Sequence, residues 1–184
     1  MCCNPKGIRA GRLRARALAR PFHVVLVEPE IPPNTGNVAR LCAATGCPLH
    51  LVEPLGFRTD AHAVRRAGLD YWHLVEVYQH PTLEAAEQLV HKLRHVGESS
   101  ESWYFSGKAR RSYLDTPFRQ GDALVFGKES VGLPEALLEE RDDHVIAIPT
   151  LGAVRSLNLA NAVAIVVYEA LRCSGALAVD ETRR

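Results

Sequence analysis

A chain of 184 residues with 47% apolar and 23% charged side chains has the size and composition of one globular domain with a sizeable core. No apolar run is long enough to cross a bilayer, and the five cysteines fall in no CxxC pair or His/Cys cluster, so neither a membrane nor a metal is expected. The net charge of +1 conceals an asymmetry: residues 1–27 carry Lys6, Arg9, Arg12, Arg14, Arg16 and Arg20 and no acid, while the rest carries 16 bases against 21 acids.

Residues 1–20 therefore read as a basic arm, open to three readings: a disordered nucleic-acid-binding tail, an organelle transit peptide, or an upstream start. The first is adopted. FHVVLVE (22–28) is a short apolar run closed by proline, the pattern of a buried strand. The spacing of Val38, Leu41, Cys42 and Thr45 predicts a helix over 35–45, with Asn34 as N-cap and Gly46 as stop. PLHLVEP (48–54) is the next strand, and strand–helix–strand within about thirty residues indicates a βαβ unit and a parallel sheet. Helices follow within 59–68 and over 82–95, then strands at SWYFSG (102–107) and DALVFG (122–127). PEALLEERD (134–142) reads as a short helix and HVIAIP (144–149) as a strand. The last helix, 158–172, has Leu159, Val163, Val166, Val167 and Ala170 on its apolar face. Cys42 and Cys47 read as reduced buried thiols, and the cytoplasm as the compartment.

Nucleotide sites are common at the carboxyl ends of such sheets, yet GxGxxG, GxxxxGK[ST] and GxSxG are all missing. Polar residues and glycines gather instead in PPNTGNVAR, FGKESVGLP and IPTLGAVRSLNLAN, each following a predicted strand and feeding a helix. Together these resemble the three signature motifs of the SPOUT methyltransferases, and RRAGLDYW (65–72) is typical of the branch that methylates the ribose 2′-oxygen of the tRNA wobble nucleotide, position 34. The likeness runs from about Phe22 to Arg172, giving three regions: the arm (1–20), a methyltransferase domain (21–175) and a flexible tail (176–184). The arm departs from the family pattern.

The resemblance implies an α/β fold, a parallel sheet flanked by helices with a C-terminal deep trefoil knot. It also implies a homodimer, S-adenosylmethionine bound within the knot loops, and a tRNA anticodon loop as substrate. Gly127 would let the backbone approach adenosine, where a Cβ would intrude. Phe105, Ile148, Ser156 and Leu157 would line the same pocket, and Glu129 would hold the knot loop through backbone N–H groups. Arg40 is the arginine tied to catalysis, with Asn37, Ser156 and Asn158 beside it. Capping the last helix is the structural alternative for Ser156 or Asn158. If Asn34 caps its helix, Asn37 and Arg40 follow at steps of three on one polar stripe. Arg65, Arg66, Arg110, Arg111 and Arg155 are candidate RNA contacts, with Tyr71 and Trp72 as stacking faces; Trp72 equally suits the core or a dimer interface. Val166, Val167 and Tyr168 are the candidate dimer contacts.

Methyl transfer to a 2′-hydroxyl loses the sulfonium charge in the transition state, so no oxyanion hole is needed. Alignment alone supplies up to about 7–11 kcal/mol in good intramolecular cases. An arginine side chain is a poor base, which leaves Arg40 to hold a substrate phosphate and polarise the hydroxyl. Two other readings stand beside this one. A relative acting on another RNA, such as rRNA, would usually carry a further RNA-binding domain. A non-catalytic knotted RNA-binding dimer would fail to bind S-adenosylmethionine.

Overall fold

The computed structural model describes residues 15, 18–57, 72–93 and 100–178. Among the described residues, six parallel strands form one sheet: β1 (His23–Val27), β2 (Leu49–Val52), β3 (Val77–His80), β4 (Ser102–Phe105), β5 (Ala123–Phe126) and β6 (Val145–Ile146), in the order β3-β2-β1-β5-β4-β6. β1, β2 and β5 are buried throughout, which is why they read as continuous apolar runs. Four described α-helices flank the sheet: α1 (Pro32–Thr45), α2 (Leu83–Leu93), α3 (Glu135–Glu140) and α4 (Leu159–Cys173).

Alternation along the strands divides two cores. Val24, Leu26, Leu49, Leu51, Leu124 and Phe126 face α1 and α4, which supply Val38, Cys42, Val163, Val166 and Val167. Val25, Val27, Val52 and Val125 face Leu83, Ala86 and Val90 of α2, with Leu137 and Leu138 of α3 against them. Burying each large aliphatic side chain contributes about 1.5–3 kcal/mol, so the sheet is held from both faces.

That α2 face also carries a polar seam. His23 Nδ1 lies 2.9 Å from His50 Nε2, and His50 Nδ1 lies 3.0 Å from His80 Nε2, all three rings buried. Burial lowers the three histidines, His23 to about 4 and His50 to about 3; Arg20 adds to the effect at His23 and Glu76 opposes it, while the flanking histidines add to it at His50.

Several expected boundaries move. The first helix begins at Pro32, with Ile31 rather than Asn34 as N-cap. Two prolines in the first two positions bring no N–H, so the helix start has fewer donors to satisfy and needs no side-chain cap. β3 is absent from the sequence expectation: an edge strand reading VYQH is half polar and shows no buried run. β6 is only two residues long, because beyond Ile146 the chain leaves β4 and Ala147 bridges Ser112. The helix expected within 59–68 lies outside the described residues, as do most of the arm and residues 179–184 of the tail.

Candidate functional site

Strand order reverses between β1 and β5, and the crevice outside the carboxyl ends at such a switch point is where ligands bind in open parallel sheets. The loops after β1 and β5 meet there and are stapled across about a hundred residues of sequence. Glu28, with a left-handed φ of 50°, turns the chain out of β1 and holds Lys128 Nζ at 2.7 Å. This backbone costs on the order of 1–3 kcal/mol in a non-glycine residue, the kind of strain found where a site is shaped. Glu30 accepts from the Ser130 N–H and hydroxyl, both at 3.0 Å. Glu129 returns the contact, accepting from the backbone N–H of Glu30 at 2.8 Å and of Ile31 at 3.3 Å. The expected loop-holding role of Glu129 through backbone N–H groups is thus what its carboxylate performs.

Asn34 joins all three motif segments. Its Nδ2 donates to Glu129 Oε1 at 2.9 Å, and its Oδ1 accepts from Asn158 Nδ2 at 2.9 Å. Asn158 caps α4, its Oδ1 accepting from the N–H groups of Ala160 and Asn161 at 3.0 and 3.3 Å. Sequence spacing singles out Asn34 only as a helix cap; its bridging role rests on partners 95 and 124 residues away, for which no local signal exists. With its oxygen on the cap and its nitrogen on Asn34, the Asn158 side chain holds the start of α4 against the first motif loop.

The remaining expected residues divide. Asn37 and Arg40 are exposed on α1, one and two steps of three beyond buried Asn34, so the polar stripe runs from the loop junction outward. Ser156 and Arg155 are exposed in the loop after β6, while Ile148 and Leu157 are half-buried. Phe105, at the end of β4, has its ring buried and stacked on Phe126, centroids 4.5 Å apart, as part of the core. Gly127 is required by the loop itself, whatever lies beyond it. A Cβ there would lie 2.2 Å from the Gly132 carbonyl carbon and 2.3 Å from the Leu133 nitrogen, so the glycine serves the loop's own turn. Trp72 is half-buried against the α1/α4 core, in keeping with the packing alternative. Val166 and Val167 are fully buried and unavailable to a partner; Ile165 and Tyr168, 39% and 49% exposed, hold the outer face of α4. Arg111 donates to the Asp143 carbonyl, and Arg110 is exposed. Arg65, Arg66 and Tyr71 lie outside the described residues.

Val131, Leu151 and Val154 stand 74%, 108% and 60% exposed in the loops after β5 and β6, apolar surface of the kind that an adenosyl ligand covers. Among the described residues no group of His, Cys, Asp or Glu could hold a metal ion. A polar depression of about 250 Å³ lined by Glu87, His91, Glu101, Tyr104, Arg141 and His144 lies on the α2 side, where none of the motif residues contributes.

Residues 21–168 match the family model described as the SpoU rRNA Methylase family. A tRNA (cytidine(34)-2′-O)-methyltransferase of Acidovorax sp. is 51% identical over 153 residues, covering 82% of this chain and 91% of that protein. A solved structure described as giving insights into the 2-OH methylation of C/U34 on tRNA is 44% identical, with a TM-score of 0.72 and coverage of 83% and 95%. The SpoU methyltransferase AviRb of Streptomyces viridochromogenes, solved with AdoMet, is 25% identical with a TM-score of 0.71, covering 85% of this chain and 59% of that one. With its parallel sheet, its three joined motif loops and this extent of likeness, the chain belongs to the SpoU methylase family.

Proposed function

We propose that the protein methylates the ribose 2′-oxygen of the wobble nucleotide, C34 or U34, of tRNA, acting in the cytoplasm as a homodimer. The observation that carries this reading is the Glu129–Asn34–Asn158 chain of hydrogen bonds. It gathers three motif loops at the switch point and aims the exposed stripe of α1 outward from them. The family description names rRNA, but the Acidovorax relative, 51% identical over 153 residues, is named for cytidine 34 of tRNA. S-adenosylmethionine, when bound, supplies an electrophilic methyl group.

Within that frame the chain's residues bind, orient and polarise. Val131, Leu151, Ile148 and Leu157 would cover the adenosine, with Ser156 as hydrogen-bonding group, and Gly127 would act through the turn it permits. Arg40, on the first helix after the junction, would grip the target phosphate with its planar fork and polarise the 2′-hydroxyl. Arg40 would thereby ready that oxygen for the methyl group the cofactor supplies, with the hydroxyl proton passing to the neighbouring phosphate. Asn37 stands one turn closer to the loops, placed to contact the ribose. Arg155, exposed beside Ser156, is the RNA contact nearest the loops, with Arg65 and Arg66 as further candidates. A C-terminal knot is supported by the path of the chain, which leaves β6 at the sheet edge and returns past the β5 loop to seat α4 beside α1. Ile165 and Tyr168 on α4 and Ile31 at the start of α1 are apolar surface suited to a symmetric partner.

Single-turnover methylation of a tRNA transcript, with ribose methylation mapped by position, tests the reading. Transfer at nucleotide 34 is expected, and Arg40→Ala should slow it by orders of magnitude with S-adenosylmethionine affinity unchanged. Methylation elsewhere, or none, would overturn the substrate; a variant within a few-fold of wild type would remove Arg40 from the mechanism.

A further inference from the structure

We infer that Glu30 is a positioning residue for S-adenosylmethionine: its carboxylate holds the loop after β5 in the form that receives the cofactor, and Gly56 holds Glu30 in place. This rests on the reading above that these loops bind the cofactor. Glu30 lies in the turn between β1 and α1, and it grips the β5 loop in two opposite senses. Its backbone N–H donates to Glu129 Oε2 at 2.8 Å, while its carboxylate accepts from the Ser130 N–H and hydroxyl, each at 3.0 Å. The loop's own closure lies elsewhere. The Gly132 N–H donates to the Lys128 carbonyl at 2.9 Å, and the fold-back leaves no room for a Cβ on Gly127. That closure sets the shape of residues 127–133. The Glu30 clasp sets where Ser130, and with it the exposed Val131, stands relative to the first motif.

The far side of Glu30 is closed by the loop after β2. Leu55 packs against the α1/α4 core, and the Gly56 N–H donates to the Pro29 carbonyl at 2.9 Å. A Cβ on Gly56 would lie 2.7 Å from Glu30 Cα and 2.8 Å from the Glu30 carbonyl oxygen. Gly56 is not among the left-handed glycines, so close approach alone calls for glycine there, and an added methyl group has to push Glu30 aside. Three loops thus stand in one row, Gly56 on Glu30 on Ser130. Glu30 and Ser130 are both exposed, and polar pairs at such a surface add little to global stability. The clasp therefore governs where the loop stands rather than whether the chain folds. A loop that holds its receiving form only part of the time binds with an affinity reduced by that fraction. Positioning needs the shape of the Glu30 side chain but not its charge. A glutamine keeps that shape, with Oε1 accepting the Ser130 N–H and Nε2 donating to the Ser130 hydroxyl oxygen.

The test takes the full chain with Glu30→Ala, Glu30→Gln, Gly56→Ala and the double change Glu30→Ala with Gly56→Ala. Each is measured by calorimetry with S-adenosylmethionine, thermal melting and steady-state methylation of a tRNA transcript. Glu30→Ala removes hydrogen bonds to a charged group, so Kd and KM for S-adenosylmethionine should rise about tenfold, with kcat at saturating cofactor unchanged. Its melting temperature should fall by no more than about 4 °C. Glu30→Gln should restore cofactor affinity to within about twofold of wild type. Gly56→Ala should weaken binding as Glu30→Ala does, and the double variant should be no weaker than Glu30→Ala alone, because both act through one clasp. Wild-type affinity in Glu30→Ala would overturn the proposal. A Glu30→Gln variant as weak as Glu30→Ala would put the carboxylate's charge on the cofactor itself and overturn it too. So would a Glu30→Ala chain that fails to fold, or one that loses kcat with Kd unchanged. Losses from Gly56→Ala that multiply with those from Glu30→Ala would overturn the link to Gly56. If the wild-type chain binds no S-adenosylmethionine, the site reading fails and takes the cofactor role with it. Faster amide exchange over residues 127–133 in Glu30→Ala than in wild type would then still show that Glu30 holds the loop.

Discussion

Replacing Asn34 by Asp is the most discriminating change at the loop junction, because it alters charge and almost no volume. The introduced carboxyl would face Glu129 Oε1 at the 2.9 Å now spanned by the Asn34 amide hydrogen. Two unit charges at that separation repel by about 5–6 kcal/mol at an effective dielectric near 20. Keeping a carboxyl with an ordinary value near 4 protonated at pH 7 costs only about 4 kcal/mol. Protonation wins, one proton is shared, and the hydrogen bond is restored. The introduced carboxyl's pKa is thereby raised by about four units, to about 8, since each unit is worth about 1.36 kcal/mol. A carboxyl raised on folding contributes stability that is fully present below about pH 4 and lost as pH rises through about 8. Single-turnover methylation from pH 6 to 9 should therefore show Asn34→Asp close to wild type at pH 6 and failing by pH 9, while thermal melting from pH 4 to 9 should show it close to wild type at pH 4, lower by about 3 kcal/mol at pH 6 and lower still up to about pH 8. Asn34→Ala should be impaired at every pH. A flat profile for Asn34→Asp that overlays wild type would mean that the loops do not depend on this junction.

Gly127→Ala should lower the melting temperature and weaken S-adenosylmethionine binding together, because the added Cβ lies 2.2 Å from backbone that cannot swing aside; normal melting with abolished binding would instead place the ligand against Gly127. The histidine seam predicts acid sensitivity: His23 and His50, held neutral well below 6.5, contribute stability above that value and lose it as pH falls towards 4 and 3. Denaturant titrations between pH 7 and 4 should show stability falling by about 3 kcal/mol for each histidine depressed by about 2.5 units, and His50→Gln should reduce the loss. Tyr168→Glu, on the exposed face of α4, should shift sedimentation towards monomer, while a dimer of unchanged affinity would put the interface elsewhere.

What can be read from the sequence follows the range of the forces involved. β1, β2 and β5 announce themselves because burial on both faces forces a continuous apolar run. The Asn158 cap is local, made with Ala160 and Asn161, and is legible as such. The bridge from Asn34 to Glu129 and Asn158 is not, since an asparagine near a helix start looks the same whether it caps or bridges. Gly127 draws attention for a ligand, yet its neighbour is its own loop five residues on, a fold-back that composition cannot show. Val166 and Val167 lie on the same apolar helix face whether that face meets a sheet or a partner; only the fitted sheet decides.

The junction at Asn34 also sets an order in time. Its partners lie 95 and 124 residues further along the chain. At about 5–20 residues per second of synthesis, the first motif emerges roughly 6–25 s before Asn158 can reach it. In that interval β1, α1 and β2 can pair locally, but the Pro-Pro turn waits without its Glu129 anchor. A nascent or truncated chain ending before α4 would thus have much of its sheet and no completed junction. Closure of that long loop comes after the local contacts, so competence to bind ligand should appear as a late step, separable from the collapse of the sheet.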